Sequence, residues 1–398
     1  MVKVWSVLLT VRNLASYFTG RIAPEERVIF FPTSAIQRNA THWDVPIHGW
    51  IFHPKEDSMK RVAFRKLLRR ALQVPSRSTE EQILDHRIKY FVVDNARWKR
   101  PTITLAGKEY LTVPSEKNGH FQTNLTLSVE ELRLHDSNAL TNPTTPTPVV
   151  FPPNHIHYFA LSSDGSRQYD GTVHLVPPEG ITILSDIDDT IKITNVVNKR
   201  EMLRNTFLKE FTAVPGMAEV YRQWCSSSSS KNGPHVHLHL LSASLYQLYE
   251  DLEGFRQQSG FPPATYTLKT IRPKKAKETI QTLLENPVEF KGRALSRLLE
   301  AYPRRQFVLV GDTGEKDPQV YASIAKKYPH QVLGVYLRSV AKNAEDYVPT
   351  RVEQIMKEYG VENDKWRVFE DASELLQVDL VKMLTEHQAA MAGDGVAK

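Results

Sequence analysis

The sequence has little cysteine and no long apolar run, and each shortage excludes a class of protein. Cys225 is the single cysteine among 398 residues, so the chain can form neither an intramolecular disulfide nor a cage of thiolate ligands around a metal. No apolar run approaches the roughly 18 residues that a membrane-spanning helix needs. We therefore expect a protein of a reducing compartment that contacts membranes only peripherally.

The composition is that of a folded globular protein with a weak excess of positive charge. Hydrophobic residues make up 41% of the chain and charged residues 24%, which excludes disorder as the main state. At roughly 150 residues per domain, the length predicts two or three domains. The net charge of +6 slightly favours anionic partners without identifying one. We predict no nucleic-acid partner.

Residues 1–24 are predicted to form a short amphipathic helix that is weakly basic. Their apolar members recur at helical spacing, and no acidic residue precedes Glu25. Three interpretations remain open: a helix packed on the body of the protein, an anchor in a membrane interface, or a mitochondrial transit peptide. We expect a cytoplasmic protein at the periphery of membranes, with the mitochondrion as the alternative location.

Residues 25–178 are rich in β-branched and aromatic residues, which predicts a β-sandwich-like domain. The predicted strands are Val28–Phe31, Val45–Phe52, Ile88–Val93, Thr102–Leu105, His120–Leu127, His157–Leu161 and Thr172–Val176. Two segments interrupt them, a helix at Met59–Val74 and a Pro/Thr-rich loop or linker from Asn142 to Pro153.

The inserted helix combines apolar residues with many cations. The cations are Lys60, Arg61, Arg65, Lys66, Arg69 and Arg70. Such a helix can lie on an anionic membrane, where each cation near the surface contributes roughly 1 kcal/mol. On this interpretation the β-rich domain orients the protein on the bilayer, and Arg65, Arg69 and Arg70 belong to the contact. Alternatively, the helix covers one face of the sandwich and turns its charged side to water.

From residue 179 to 388, apolar strands alternate with amphipathic helices, which is typical of a parallel α/β sheet. The predicted strands are Ile181–Ser185, Val236–Leu241, Tyr266–Lys269, Gln306–Val310 and Gln331–Leu337, and the predicted helices are Gly216–Trp224, Leu245–Gln257, Gly292–Ala301, Pro318–Lys327 and Ala372–Glu386. The tail, residues 389–398, is expected to fray. The predicted fold class is therefore α/β, with a Rossmann-like parallel-sheet domain after an N-terminal β-sandwich.

Polar residues follow these strands at the edge where open parallel sheets bind ligands. They are Asp186, Asp188 and Thr190 after the first strand, Ser242 after the second, Lys291 on the helix before the fourth, and Asp312 and Asp317 after the fourth. Carboxylates without thiol or histidine ligands suit Mg²⁺ rather than zinc, and a nearby lysine with hydroxyls suits phosphate. The i, i+2 spacing of Asp186 and Asp188 allows one to act as nucleophile and the other as proton donor.

The order of these motifs resembles that of the haloacid dehalogenase phosphatase superfamily: a strand followed by DxDxT, a strand ending in Ser, an isolated Lys and a strand followed by GDxxxxD. More narrowly, SDIDDTIK, LLSASLYQLYEDL and VLVGDTGEKDPQVYA resemble the fungal actin-patch phosphatidate phosphatase family. The resemblance extends from about Arg27 to Arg338. The chain departs from the family pattern at Leu245, where the family usually has Pro, and in the longer loop at Ser226–Ser230.

The resemblance implies a Mg²⁺-dependent phosphatidate phosphatase with a minimal cap that forms an aspartyl-phosphate on Asp186. Asp188 would protonate the leaving alkoxide and later deprotonate the attacking water. The implied metal ligands are Asp186, the backbone carbonyl of Asp188, Asp312 and Asp317; Thr190 belongs to the first motif, and Ser242 and Lys291 would complete the phosphate site. Lys269, Lys274 and Lys275 are alternatives to Lys291.

The spacing between the motifs leaves too few residues for a large cap domain, so we expect an open site. An open site suits a phosphate presented by a large surface, either a bilayer or a protein. The resemblance favours phosphatidate in membranes. The alternatives are a capless protein phosphatase acting on phosphoserine or phosphothreonine, and a membrane adaptor in which catalysis matters little.

Two further features receive structural interpretations. His235, His237 and His239 alternate along one strand and could form a metal stripe, but we expect them to face solvent or helices. Asp189 is expected to support the neighbouring aspartates from behind.

Overall fold

The computed structural model describes residues 20–54, 59–132, 155–226, 233–270, 288–341 and 346–396. Contacts within the chain divide it into two compact units. Unit 1 comprises Met1–Ser58 and Lys89–Val176, and unit 2 comprises Met59–Ile88 and Pro177–Lys398. The predicted N-terminal helix up to residue 19 and the Pro/Thr-rich stretch 142–153 lie outside the described residues.

Nine β-strands build the described part of unit 1. They are β1 (Arg27–Phe31), β2 (Thr33–Gln37), β3 (His42–His53), β4 (Asp94–Asn95), β5 (Thr102–Leu105), β6 (Lys108–Leu111), β7 (His120–Ser128), β8 (His155–Leu161) and β9 (Gln168–Val176). In β8, Ile156, Tyr158 and Ala160 are buried and the residues between them are not, because successive strand residues point to opposite faces. These three side chains join one core that also contains Trp43 and Ile47.

The long strand β3 organises this unit. One of its edges pairs with β1 and then β2, and the other pairs with β7, all antiparallel. Pro32 separates β1 from β2, because proline has no amide hydrogen to donate to a neighbouring strand. Beyond Pro32, β2 also pairs in parallel with β9. All nine strands are thereby linked in one hydrogen-bonded network, so hydrogen bonding alone does not separate the two sheets of the predicted sandwich.

Unit 2 contains a six-stranded sheet in which every pairing is parallel. Its strands are β10 (Ile181–Ser185), β11 (Val236–Leu245), β12 (Ala264–Lys269), β13 (Gln306–Asp312), β14 (Val332–Arg338) and β15 (Trp366–Phe369), in the spatial order β12-β11-β10-β13-β14-β15. All residues of β10 are buried, as expected for a central strand of a parallel sheet. The predicted parallel α/β sheet is confirmed.

The helices described in unit 2 are α1 (Met59–Leu72), α2 (Thr79–Arg87), α3 (Lys199–Phe207), α4 (Met217–Ser226), α5 (Tyr249–Gln258), α6 (Val288–Ala301), α7 (Asp317–Lys327), α8 (Val348–Tyr359) and α9 (Leu380–Val396). Among the described residues, none of the helices combines the length and the apolar character required to cross a bilayer. Because β10 pairs with both β11 and β13 in parallel, the carboxyl ends of these three strands lie together at one edge.

Helices α1 and α2 group with unit 2, whereas the sequence placed the basic helix in the β-rich domain. Side chains of α3 hold both helices in this unit. The guanidinium of Arg204 donates to the carbonyl of Leu72 at 2.8 Å and pairs with Glu80 of α2. Arg200 donates to the side-chain oxygen of Gln73 at 2.7 Å. A tertiary contact of this kind has no periodic signal in the sequence.

Several boundaries differ from the predicted ones. Strand β11 continues to Leu245, and β13 continues to Asp312, because both keep pairing with their neighbours beyond the apolar residues. The predicted strand Ile88–Val93 is wrong, since these residues form turns and irregular structure, and strand pairing begins only at Asp94, in β4. Helix α9 runs to Val396, past residue 389, where fraying was expected.

Candidate active site

The loop that follows β10 is shaped by the side chain of Asp189. This residue adopts a left-handed backbone conformation, with φ of 57°. Its carboxylate accepts three amide hydrogens, from Thr194 at 2.8 Å, Asn195 at 2.8 Å and Val196 at 2.6 Å. Arg338 of β14 donates to its carbonyl oxygen at 2.8 Å. Asp189 therefore fixes the course of the chain between β10 and α3 from behind the two preceding motif aspartates.

Three carboxylates meet at the carboxyl edge of the sheet. Asp186 follows β10, Asp312 ends β13 and Asp317 begins α7; one ligand oxygen from each lies within 4.8 Å of the others. All three residues are at most 1% exposed. Within the described ranges, the Oδ2 atom of Asp312 is buried without a hydrogen-bond partner. Buried carboxylate oxygens, one of them unsatisfied, fit a hard divalent cation such as Mg²⁺.

Burial and repulsion from neighbouring carboxylates favour the protonated forms of Asp186 and Asp312. Burial raises the pKa of Asp186 well above its ordinary value; Lys291 opposes the increase, and the carboxylates of Asp317 and Asp312 add to it. Burial, followed by the neighbouring Asp317, also raises the pKa of Asp312. Strongly perturbed carboxylates gathered at the ligand-binding edge of a parallel sheet are typical of a functional site.

Lys291 of α6 places its ammonium inside this cluster. Its Nζ lies 2.7 Å from Oδ1 of Asp186, 2.6 Å from Oδ1 of Asp317 and 3.6 Å from Oε2 of Glu315, and the side chain is 2% exposed. Burial disfavours the ammonium, but the attraction of these three carboxylates outweighs burial and raises the pKa of Lys291 well above its ordinary value. The lysine is therefore a fixed positive charge beside the carboxylates.

Asp188 lies in a second network, on the side of β11. It pairs with Lys192 at 2.7 Å and accepts hydrogen bonds from Thr194 at 2.8 Å, Ser242 at 3.0 Å and Ser244 at 3.0 Å. Burial opposes ionisation, but Lys192 and the hydrogen bonds from Thr194 and Ser242 outweigh it and lower the pKa of Asp188 to about 2. The two aspartates of the DxD motif thus have pKa values shifted in opposite directions, which suits separate chemical roles.

The structure brings all the sequence-predicted site residues into these two networks. Thr190 donates to Oδ2 of Asp186 at 3.4 Å, and Ser242, which lies inside β11 rather than after it, is directed at Asp188. Of the lysines considered in place of Lys291, Lys269 ends β12, and Lys274 and Lys275 lie outside the described residues.

Sequence reasoning missed four side chains of the site: Lys192, Thr194, Ser244 and Glu315. A signal for Lys192 existed, since it follows Asp188 by four residues in DIDDTIK. An i, i+4 spacing predicts an ion pair only within a helix. The pairing of Lys192 with Asp188 therefore could not be predicted without knowing the tight loop after β10.

The histidines of β11 are structural. His237 bonds Thr265 at 2.9 Å, and His239 bonds Thr265 at 2.8 Å and Thr267 at 2.9 Å, all across the pairing with β12. Burial lowers the pKa of His239 to about 4, so it is neutral at physiological pH. These imidazoles are buried among hydroxyls rather than facing solvent, and they take no part in the carboxylate cluster.

Comparison with known proteins shows what the segment that carries the site is similar to. Residues 181–339 match the family model of the catalytic domain of phosphatidate phosphatase APP1. The matched range runs from β10 through β14 and includes both networks. The narrower resemblance predicted from the motifs, to the phosphatidate phosphatase family, is confirmed by this match.

Two curated relatives match about the same share of the chain. Phosphatidate phosphatase APP1 of Saccharomyces cerevisiae is 30% identical over 186 residues, which are 46% of this chain and 30% of the relative. An uncharacterized protein of Schizosaccharomyces pombe is 28% identical over 177 residues, which are 44% of this chain and 27% of the relative. The matched part is less than a third of either relative's length.

Proposed function

We propose that the chain is a Mg²⁺-dependent phosphatidate phosphatase of the haloacid dehalogenase type, which converts phosphatidate into diacylglycerol and phosphate. One observation carries the proposal: the segment similar to a phosphatidate phosphatase catalytic domain is the segment that buries three carboxylates around a lysine. The geometry supports phosphoryl chemistry, and the similarity supports the lipid substrate.

The donor set fits Mg²⁺. Asp186, Asp312 and the backbone carbonyl of Asp188 would hold the cation, with Asp317 contributing directly or through water. The unsatisfied Oδ2 of Asp312 and the raised pKa values of Asp186 and Asp312 support this assignment, because bound cation charge favours ionised carboxylates. When bound, Mg²⁺ supplies positive charge against the phosphoryl oxygens.

In the first proposed step, a carboxylate oxygen of Asp186 attacks phosphorus and the bond from phosphorus to the glycerol oxygen breaks. The diacylglycerol alkoxide takes a proton from Asp188, and an aspartyl-phosphate remains on Asp186. Lys291, held 2.7 Å from Asp186, provides positive charge beside the transferred phosphoryl group. Because the pKa of Asp188 is about 2 in the free protein, approach of the anionic phosphate must first favour its protonation.

In the second proposed step, Asp188 acts as a base. Water attacks the aspartyl-phosphate, gives a proton to Asp188, and releases phosphate with regeneration of Asp186. The ion pair with Lys192 and the hydroxyls of Ser242 and Ser244 stabilise the ionised form of Asp188 that this step needs. The same contacts orient its carboxylate, since Lys192 binds Oδ1 and the two serines bind Oδ2.

The described chain between β10 and β13 forms helices and sheet strands of unit 2, which supports an open site. An open site is suited to a phosphate in a bilayer surface, and we propose that the protein acts at the periphery of cytoplasmic membranes. A phosphoprotein would reach such a site equally well, so the experiment must distinguish the two substrates.

The test measures phosphate release from phosphatidate in mixed micelles, with Mg²⁺ or with EDTA. We expect Mg²⁺-dependent release by the wild type and its loss in Asp186→Asn and Asp188→Asn. The exposed Asp364 provides the matched control, since Asp364→Asn makes the same chemical change far from the site and should leave release unchanged.

Two outcomes would overturn the proposal in different ways. Release from an aryl phosphate and a phosphoserine peptide, with none from phosphatidate, would keep the chemistry and replace the lipid by a protein substrate. Phosphatidate hydrolysis that survives in both variants would show that these aspartates do not carry the reaction.

A further inference from the structure

Helix α1 turns part of its apolar surface away from the core. Phe64, Leu68 and Leu72 are buried. On the opposite side, Met59 is 88% exposed, Val62 is 62% exposed and Leu67 is 39% exposed. Large apolar side chains grouped on one helix face are unusual at the surface of a soluble protein and mark a contact site.

Four cations of α1 fall into two groups. Arg65 lies 2.6 Å from Asp85 and 2.9 Å from Glu81, and Arg69 lies 3.0 Å from Glu81, so α2 neutralises both. Lys66 and Arg70 are exposed, and neither forms an ion pair within the part of the chain that the structure describes. The membrane interpretation of the sequence predicts that Arg65, Arg69 and Arg70 contact the bilayer. In the structure, Arg70 is the one of these three that forms no ion pair among the described residues and can reach a bilayer.

The free cations and the exposed apolar side chains share one face. Positions 59, 62, 63, 66, 67 and 70 follow the i, i+3, i+4, i+7 spacing of a helical stripe. We call this stripe the α1 outer face: Met59, Val62, Ala63, Lys66, Leu67 and Arg70. Its polar groups carry only positive charge, and its apolar groups are long enough to enter the boundary between headgroups and acyl chains.

The α1 outer face is joined to the candidate active site through α3. Leu72 at the end of α1 accepts the hydrogen bond from Arg204, and Gln73 accepts one from Arg200. Helix α3 follows directly on the loop that Asp189 shapes, and Ile193 in that loop is 41% exposed. A bilayer held by α1 would therefore be connected, through α3, to the loop that carries part of the candidate active site.

We propose that the α1 outer face docks on an anionic phospholipid bilayer, with Lys66 and Arg70 at the headgroups and Met59, Val62 and Leu67 inserted between them. Charge complementarity selects this occupant, because phosphatidate is itself an anionic lipid and the face presents cations without acidic residues. The inference rests on the proposed lipid phosphatase function and names the surface by which it reaches its substrate.

The first test is sedimentation of the full chain, as Asp186→Asn, with phosphatidylcholine vesicles that contain or lack phosphatidate. The substitution prevents consumption of the lipid during the measurement. We expect binding that requires phosphatidate and that falls by roughly tenfold or more in Lys66→Glu/Arg70→Glu, because each cation near an anionic surface strengthens binding severalfold. Val62→Gln/Leu67→Gln should weaken binding without changing the charge.

Lys326→Glu/Lys357→Glu is the matched control. Both lysines are exposed and lie at the carboxyl ends of α7 and α8, and the double substitution makes the same charge change. The control should bind as the parent does. Equal loss in the control, or undiminished binding of both outer-face variants, would overturn the proposal. Circular dichroism verifies that each variant is folded.

A second measurement separates docking from catalysis. In the wild-type background, the ratio of phosphatidate turnover in vesicles to turnover of a soluble aryl phosphate should fall in the two outer-face variants. If wild-type protein hydrolyses monomeric short-chain phosphatidate but does not bind vesicles, the docking proposal fails and the enzymatic one stands. If it binds vesicles through this face but hydrolyses no phosphatidate, the enzymatic proposal fails. If Val62→Gln/Leu67→Gln instead dissociates a dimer and vesicle binding is unchanged, a second copy is the occupant.

Discussion

Unit 1 buries a pair of histidines and unit 2 buries a cluster of carboxylates, and burial shifts the pKa values of these two groups in opposite directions. In unit 1, Nε2 of His48 lies 3.1 Å from Nδ1 of His120, and burial lowers the pKa of His48 to about 3 and that of His120 well below its ordinary value. In unit 2, burial raises the pKa values of Asp186 and Asp312. Both shifts favour the neutral form, because a charge is disfavoured in a medium of low polarity.

The two clusters differ in what surrounds them. The ring of His120 stacks between Phe31 and Trp50, with centroid distances of 5.8 Å and 5.5 Å, so the histidine pair is part of an aromatic core. The carboxylates of unit 2 instead gather like charges around a lysine, an arrangement that packing does not require. A cluster that opposes stability in this way is best explained by a ligand or a reaction.

The largest expected effect is on stability, from Lys291→Met. Removal of the ammonium leaves the buried carboxylates of Asp186 and Asp317 without their cation, and the free energy of unfolding should fall by about 3–5 kcal/mol. Urea unfolding at pH 7.5 in EDTA measures this change. The exposed Lys326→Met is the control, and equal stability of the two variants would show that the lysine is not required by the cluster.

The next effect is on catalysis, from Lys192→Met. Loss of the ion pair with Asp188 should reduce turnover of an aryl phosphate by roughly tenfold to a hundredfold, less than the loss of an acid–base group itself. The pKa of Asp188 should rise, and because the second step needs ionised Asp188, the acidic limb of the pH profile should move to higher pH. Lys192→Arg should restore part of the activity. An unchanged pH profile would mean that Lys192 acts only on folding.

A smaller effect concerns acid stability in unit 1. Between pH 6.5 and pH 3 the unfolded chain protonates residue 48 and the folded chain does not, so stability is lost as pH falls through this window. Each pH unit should raise the unfolding constant by up to about tenfold. Urea unfolding of His48→Gln at pH 6.5, 5.5 and 4.5 should show a shallower loss. The exposed His157→Gln should follow the wild type, and parallel behaviour of all three proteins would contradict the prediction.

The smallest expected effect is a gain in stability, from Asp312→Asn. Because the pKa of Asp312 is raised in the folded protein, this carboxylate lowers the free energy of unfolding at neutral pH, and the effect diminishes as pH falls. Removal of the carboxylate should therefore stabilise the metal-free protein at pH 7.5 by about 1 kcal/mol. The gain should shrink towards pH 4. Thermal unfolding should also show that Mg²⁺ stabilises the wild type and Asp364→Asn, but not Asp312→Asn. Equal stabilisation of all three by Mg²⁺ would remove Asp312 from the metal site.

The candidate site was predictable to the extent that its residues follow strands. Asp186, Asp188 and Asp312 could be placed together because each follows an apolar run, and parallel strands end at a common edge. Lys291 precedes a strand instead of following one, so its contacts with Asp186 and Asp317 became evident only in the structure. Lys192 and Ser244 were missed because they reach Asp188 through a loop and an extended strand, and neither has a periodic pattern.

The fold also contains elements that could be predicted from the sequence and elements that could not. The strands of unit 2 were predictable because they are continuous apolar runs between helices, which is the pattern of a buried parallel sheet. The edge strand β15 was missed, since only its last residue, Phe369, is buried. The place of α1 was also missed, because Arg204 and Arg200, far along the chain, decide it.

Residue type and short spacing are enough to predict the alternation of strands and helices in unit 2, the carboxylates at the strand ends and the phosphatase resemblance. Which charges are neutralised depends on how the chain folds. In the structure, Lys192 pairs with Asp188, and Lys291 pairs with Asp186 and Asp317. The arginines of α1 pair with acidic residues of α2. The strength of an ionic interaction depends on distance and burial, and neither is contained in the order of residues along the chain.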